Sequence, residues 1–177
     1  MTKPPLYRRV LGTHFDALPS RVRELHDLDG LSTWTGRASV TRGTSLPSRI
    51  AAAITGLPPD GPDQTLSVTF EPIGATEVWS RHFGSARFRS LQYARGHLLC
   101  ERVGPVTFIF TPVASCEGLA LRLDGFRVLG LPLPGFLHPT VRTFERQLAG
   151  RYEFEVESHL PLFGLLVRYA GWLQPQA

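Results

Sequence analysis

Three predicted hairpins each carry a charged residue in line with core-type aromatics. In EVWSRHFGSARF, residues 77–88, a period of two puts Glu77, Trp79, Arg81 and Phe83 on one face. Folding the chain at Gly84-Ser85 sets Arg81 opposite Phe88, Trp79 opposite Ser90 and Glu77 opposite Gln92. The other face carries Ser80, His82, Arg87 and Arg89, a solvent face. Folding at Gly104-Pro105 sets Glu101 opposite Phe108 and Leu99 opposite Phe110, and folding at Ala149-Gly150 sets Glu145 opposite Phe154. One arginine and two carboxylates therefore point inward among phenylalanines. An ion in a dry core costs several kcal/mol, of order 3–5 when its partner is missing. Two readings meet that cost. Arg81 pairs with Glu101 or Glu145 in a closed structural ion pair, or the inner face lines a wet or ligand-filled cavity.

The chemistry available to such a cavity is acid–base. An apolar wall raises a carboxylate's pKa and a nearby arginine lowers it. Glu101 or Glu145 is then the proton donor or base, and Arg81 the group that holds an oxyanion. Trp79, Phe83, Phe88, Phe108, Phe154, Glu77 and Tyr169 are the expected ligand-binding positions. Isomerisation, dehydration or cyclisation of a lipophilic small molecule needs no more than this, and no cofactor is expected. The chain has no GxGxxG and no GxxxxGK[ST], so neither a dinucleotide nor a phosphate loop is written in it. Its six histidines form no HxH or HExxH, so no metal is expected. Ser90 and Ser115 lack the setting of a nucleophile elbow. His138 stands before Pro139, either covering a pocket mouth or solvated. The rival reading is a non-catalytic accessory or interaction module.

These side chains need elements to aim them. Residues 4–28 read as helical, with Leu6, Val10 and Leu11 on one face; Pro19 opens a second piece carrying Val22, Leu25 and Leu28. STWTGRASV, 32–40, switches to period two, with Trp34, Gly36, Ala38 and Val40 facing one way. SLPSRIAAAITG, 45–56, is a helix capped by Ser45 and ended by Gly56. GLPPDGPD is a loop, and QTLSVTFEP returns to alternation. Asp124-Gly125 carries the dipeptide of a type I′ turn between LALRL and FRVLG. GLPLPGFLHP, 130–139, is an irregular crossover. TVRTFERQLAG reads as a strand rather than a helix, because folding at Ala149-Gly150 sets Arg146 opposite Glu153 and Arg142 opposite Glu157. A last strand near 163–173 places Phe163, Leu165, Val167 and Tyr169 on one face. The expectation is a single α+β domain over 1–177, mostly antiparallel. About ten strands form a curled hairpin meander, a barrel or half-barrel, with the N-terminal helices covering one side.

Composition agrees. Of 177 residues, 42% are hydrophobic and 19% charged, ordinary for a globular chain, and fifteen prolines and seventeen glycines suit frequent turns. The net charge of +4 forms no basic stripe, so nucleic acid is not an expected partner. No segment approaches the ~20 apolar residues of a membrane span, and no signal peptide is visible. Two cysteines, Cys100 and Cys116, match no metal or redox spacing. A reduced cytoplasmic protein is the default.

The motifs LYRRVLG, WTGRASVTRG, EVWSRHFG, ERVGP, LGLPLP, ERQLAGRYEFEV and LPLFGLLVRYAGWL together resemble the bacterial family labelled domain of unknown function 4166, from about Leu6 to Leu173. The resemblance assigns no catalytic residue. It marks Trp79, Arg81, Phe83, Glu101 and Glu145 as family-pattern positions. Members are sometimes joined to a saccharopine-dehydrogenase-like reductase, which implies a reductase as partner; no such domain is present here.

Overall fold

The computed structural model describes residues 4–176. Three helical pieces come first: α1 (Leu6–Leu11), a 3-10 turn (Gly12–Ala17) and α2 (Ser20–His26). Then β1 (Ser32–Arg42) leads to α3 (Leu46–Thr55) and β2 (Gly61–Ile73). A meander follows: β3 (Thr76–Phe83), β4 (Ala86–Arg95), β5 (Leu98–Val103), β6 (Val106–Ser115) and β7 (Gly118–Val128). The crossover holds the two-residue β8 (Leu131–Pro132) and a 3-10 turn (Gly135–Leu137). The chain ends in β9 (Thr140–Leu148), β10 (Arg151–Leu160) and β11 (Gly164–Pro175).

The strands run in the order β6-β5-β4-β3-β2-β1-β11-β10-β9-β7-β8, and β6 also pairs with β7. That last pairing closes ten strands into an antiparallel barrel, with β8 appended outside the ring. Closure removes the exposed strand edges that an open sheet would present. Within the ring the ladder between β7 and β9 is the narrowest, with only Leu119↔Glu145 and Ala120↔Phe144 paired. Gly118 permits it: a Cβ there would lie 2.0 Å from the carbonyl oxygen of Glu145. Thr143 Oγ1 extends the seam by accepting from the Leu121 N–H at 3.0 Å.

The expected registers hold for the hairpins folded at Gly84-Ser85, Gly104-Pro105 and Ala149-Gly150. Arg81 faces Phe88, Trp79 faces Ser90 and Glu77 faces Gln92; Glu101 faces Phe108; Glu145 faces Phe154 and Arg146 faces Glu153. Ala149 and Gly150 both have positive φ, as a type I′ turn requires. Arg146 bonds Glu153 at 3.1 Å. Glu157 sits opposite Arg142 in the ladder, but its carboxylate is taken by His159 at 2.8 Å and Arg168 at 3.5 Å.

Two expectations fail. No turn forms at Asp124-Gly125; β7 runs straight through it, and the hairpin turns instead at Cys116-Glu117. Gly125 lacks the positive φ of a I′ turn. Ile109 pairs with Gly125 and Phe110 with Leu123, which leaves Asp124 as the extra residue of a β-bulge. A Cβ on Gly125 would sit 3.3 Å from Ile109 Cδ1, so the glycine serves a close approach. Phe163 does not face inward either: it lies in the β10–β11 turn, half exposed. A second bulge, at Leu166, shifts the register so that Leu166 and Val167 both reach the interior.

The helices close the two ends. α1 and α2 bury Leu6, Tyr7, Val10, Leu11, Val22, Leu25 and His26 against one end. Gln147, in β9, fastens α2 by accepting from Ser20 Oγ and the Arg21 N–H, both at 2.9 Å. α3 lies at the other end, capped by Ser45 and stopped at Gly56 with φ 68°, and its Ser48 Oγ donates to the Leu165 carbonyl at 2.8 Å.

Candidate functional site

The barrel is hollow. A cavity of about 130 Å³ remains between the two ends, close to the roughly 150 Å³ apolar cavity that admits benzene or xenon elsewhere. Its walls are mainly aromatic and aliphatic. Trp79, Phe83, Phe88, Phe108, Phe154 and Tyr169 all line it, as expected from the sequence. So do Arg81, Glu101 and Glu145, and these three are its only ionisable lining residues besides tyrosines, among the described residues. Alternation explains the convergence: each is the inward member of its strand, and closure brings β3, β5 and β9 around one interior.

Arg81 is held on every side. Its Nη1 donates to Ser90 Oγ at 2.9 Å and its Nη2 to Glu101 Oε1 at 3.2 Å. The rings of Trp79 and Phe88 lie 4.9 and 5.2 Å from its guanidinium carbon. Gln92 links the pair onward: its Nε2 donates to Glu101 Oε1 at 3.4 Å, and its Oε1 accepts the Tyr7 hydroxyl at 2.9 Å. The ion pair exists, and it forms part of a cavity wall.

Glu145 has a different partner. His26, fully buried, contacts Glu145 Oε2 through Nε2 at 2.6 Å. Its Nδ1 has no partner. A proton on Nδ1 would be a buried donor without an acceptor, so the neutral imidazole that suits this geometry carries its proton on Nε2. The Tyr7 ring stacks on the imidazole at 3.8 Å, and Trp79 lies 5.7 Å beyond. The Tyr152 phenol lies beside the Glu145 carboxylate, and Oε2 of Glu101 accepts no hydrogen bond among the described residues. Ser158 Oγ, also on the lining, is buried without a partner.

Glu77 departs from expectation: it does not line the cavity. It is 2% exposed and tucked behind Trp79, where Oε1 accepts from the Leu6 N–H at 3.2 Å and Oε2 from Trp79 Nε1 at 3.1 Å. It ties α1 to the barrel and fixes the indole. Burial pushes its carboxyl above the usual range, opposed by the bond from Trp79. His138 lies in the crossover, bonded to the Leu133 carbonyl at 2.9 Å. Trp34 is core.

Tyr7, His26, Gln92 and Tyr152 were not among the site residues expected from the sequence. Burial, then the charge of Glu145, holds the phenols of Tyr7 and Tyr152 well above their ordinary value. Burial pushes Tyr169 up to about 12. All three line the cavity and stay protonated; the Tyr7 hydroxyl is already donated to Gln92, whereas that of Tyr169 donates to no group among the described residues. Gln92 was legible as the partner of Glu77. His26 was not, since 119 residues separate it from Glu145.

A family model described as "Domain of unknown function (DUF4166)" matches residues 18–173. The chain belongs to that family. The match takes in α2, every strand from β1 to β10 and most of β11, so His26, Arg81, Glu101 and Glu145 all fall inside the DUF4166 region. No curated protein matches the chain. Among solved structures it is similar to the crystal structure of Rv2717c from M. tuberculosis, at 14% identity and a TM-score of 0.48, over 90% of this chain and 99% of that one. No helix of the described residues is long and apolar enough to cross a membrane.

Proposed function

We propose that the barrel binds a lipophilic small molecule in its interior and converts it by acid–base chemistry without a cofactor. One observation carries this reading: two carboxylates, Glu145 and Glu101, line the aromatic cavity together with a fixed guanidinium. Cavities of this kind, apolar with a few placed polar groups, suit small ligands. Glu145 is the proton acceptor. Its Oε2 is anchored by His26, which leaves Oε1 to take a proton from the ligand and return it to a different atom, a net isomerisation. Remaining N–H groups of Arg81 and the Tyr169 hydroxyl stabilise the oxyanion that forms between the two transfers. Dehydration and cyclisation use the same proton transfers. The free thiols of Cys100 and Cys116 accord with the reducing cytoplasmic setting we infer for it.

The Arg81–Glu101 pair favours a second reading, a non-catalytic accessory domain of a reductase-type pathway in which that pair only holds the wall together. Titration with benzyl alcohol, followed by the indole N–H resonance of Trp79, tests the first reading. Saturable shifts that vanish in Val156→Phe, which fills the cavity, support it. Absence of any shift in the unaltered protein overturns it.

A further inference from the structure

Large exposed apolar side chains are not spread over the barrel. Nine of the fourteen among the described residues sit on three segments. Leu46, Ile50 and Ile54 follow one another at four-residue steps along α3, so its outward face is apolar. The crossover adds Leu129, Leu131, Phe136 and Leu137; the β10–β11 turn adds Leu162, 99% exposed, and Phe163.

The three segments adjoin at the end away from α1 and α2. Ser48 of α3 donates to the Leu165 carbonyl beside the β10–β11 turn. At its other end α3 meets the β5–β6 turn, where a Cβ on Gly104 would lie 3.4 Å from the Ile54 carbonyl oxygen. The neighbouring Pro105 carbonyl accepts from the Leu129 N–H at 2.8 Å, which brings in the crossover. Thr55 and Leu57, where α3 ends, line the cavity itself. The apolar rim thus surrounds the α3 end of the hollow interior.

Charge narrows the occupant. Segments 46–55, 129–139 and 160–165 contain no Asp or Glu. Arg49 is exposed on α3, and Arg127 joins the rim through a 3.3 Å bond to the Gly130 carbonyl. Asp60, in the loop after α3, is turned to the Arg42 N–H. A protein interface carries a polar rim and about one hydrogen bond per 100–200 Å², which these proline- and leucine-rich tips do not offer. Apolar tips with arginines among them match the interfacial zone of an anionic bilayer.

We infer that this rim is a lipid-binding surface, through which the lipophilic ligand passes between an anionic membrane and the cavity. The inference goes beyond the interior reading, and the rim carries it without any ligand present. Sedimentation of the full chain with phosphatidylcholine vesicles containing phosphatidylglycerol tests it, alongside light scattering for oligomeric state. The expected result is vesicle binding that falls at least tenfold in the double variant Ile50→Glu with Leu162→Glu, while the benzyl alcohol titration is unchanged. Failure of the unaltered protein to sediment overturns the proposal, as does undiminished binding by the double variant. So does a dimer that the double substitution splits in the absence of vesicle binding, which would make a second copy the occupant. Benzyl alcohol binding without vesicle binding overturns this inference alone; vesicle binding without benzyl alcohol binding overturns the interior reading and the ligand passage that rests on it, and leaves the lipid-binding surface.

Discussion

Glu101→Gln leaves Arg81 enclosed without its counter-charge. The two side chains are only 10% and 16% exposed, and the N–O distance is 3.2 Å. At an effective dielectric of about 20, charges at that distance attract by roughly 5 kcal/mol. The amide oxygen of the variant still accepts from Arg81 and Gln92, and Glu145 shares the cavity, so part of that is retained. We expect a loss of about 3 kcal/mol, the low end for removing one partner of a buried pair. For a chain of this size that lowers Tm by roughly 6–12 °C. Urea unfolding followed by near-ultraviolet circular dichroism measures it. Adding Arg81→Met to Glu101→Gln removes the stranded charge and should recover about 1–2 kcal/mol. If Glu101→Gln lies within about 0.5 kcal/mol of the unaltered protein, or if the double variant is no more stable than the single, Arg81 is not desolvated and the reasoning fails.

Two further outcomes follow from the geometry. Because the native pKa values of Tyr7, Tyr152 and Tyr169 are raised, the native state holds these protons more tightly than the unfolded chain. The stability this contributes is full below pH ~10 and is lost as pH rises through the native values, about 12 for Tyr169. Absorbance at 295 nm should therefore show these three phenols ionising only near alkaline unfolding, and ordinary titration of them in the folded protein would contradict the burial described. Gly118→Ala puts a methyl group against the Glu145 carbonyl, at a φ of 155° that L-residues rarely adopt. It should cost roughly 3 kcal/mol or more by strain and a broken seam, read as a shifted urea midpoint; an unchanged midpoint would mean that β7 and β9 do not close the barrel there.

The hairpins were legible because pairing is local. Arg146 and Glu153 lie seven residues apart, and a two-residue turn leaves one register that matches their charges. The inward set Trp79, Arg81, Glu101 and Glu145 followed from alternation alone. Asp124-Gly125 misled because the same dipeptide serves a turn or a bulge, and the choice rests on Ile109 across the ladder. Phe163 misled because alternation extrapolated from Val167 and Tyr169 cannot foresee the bulge at Leu166. Glu77 shares a face with Trp79, yet α1 arrives over it and shuts it off from the cavity. His26 and Tyr7 depend on where two short helices dock on a barrel that the chain has not yet built, and no periodicity reports that.

The most direct test of the hollow, charge-lined interior is diffraction from crystals under xenon pressure. A xenon peak among Phe88, Phe108, Phe154 and Tyr169, with the Arg81–Glu101 pair and Glu145 on the wall around it, is the predicted result. An interior filled by these side chains, with no xenon bound, would contradict the account.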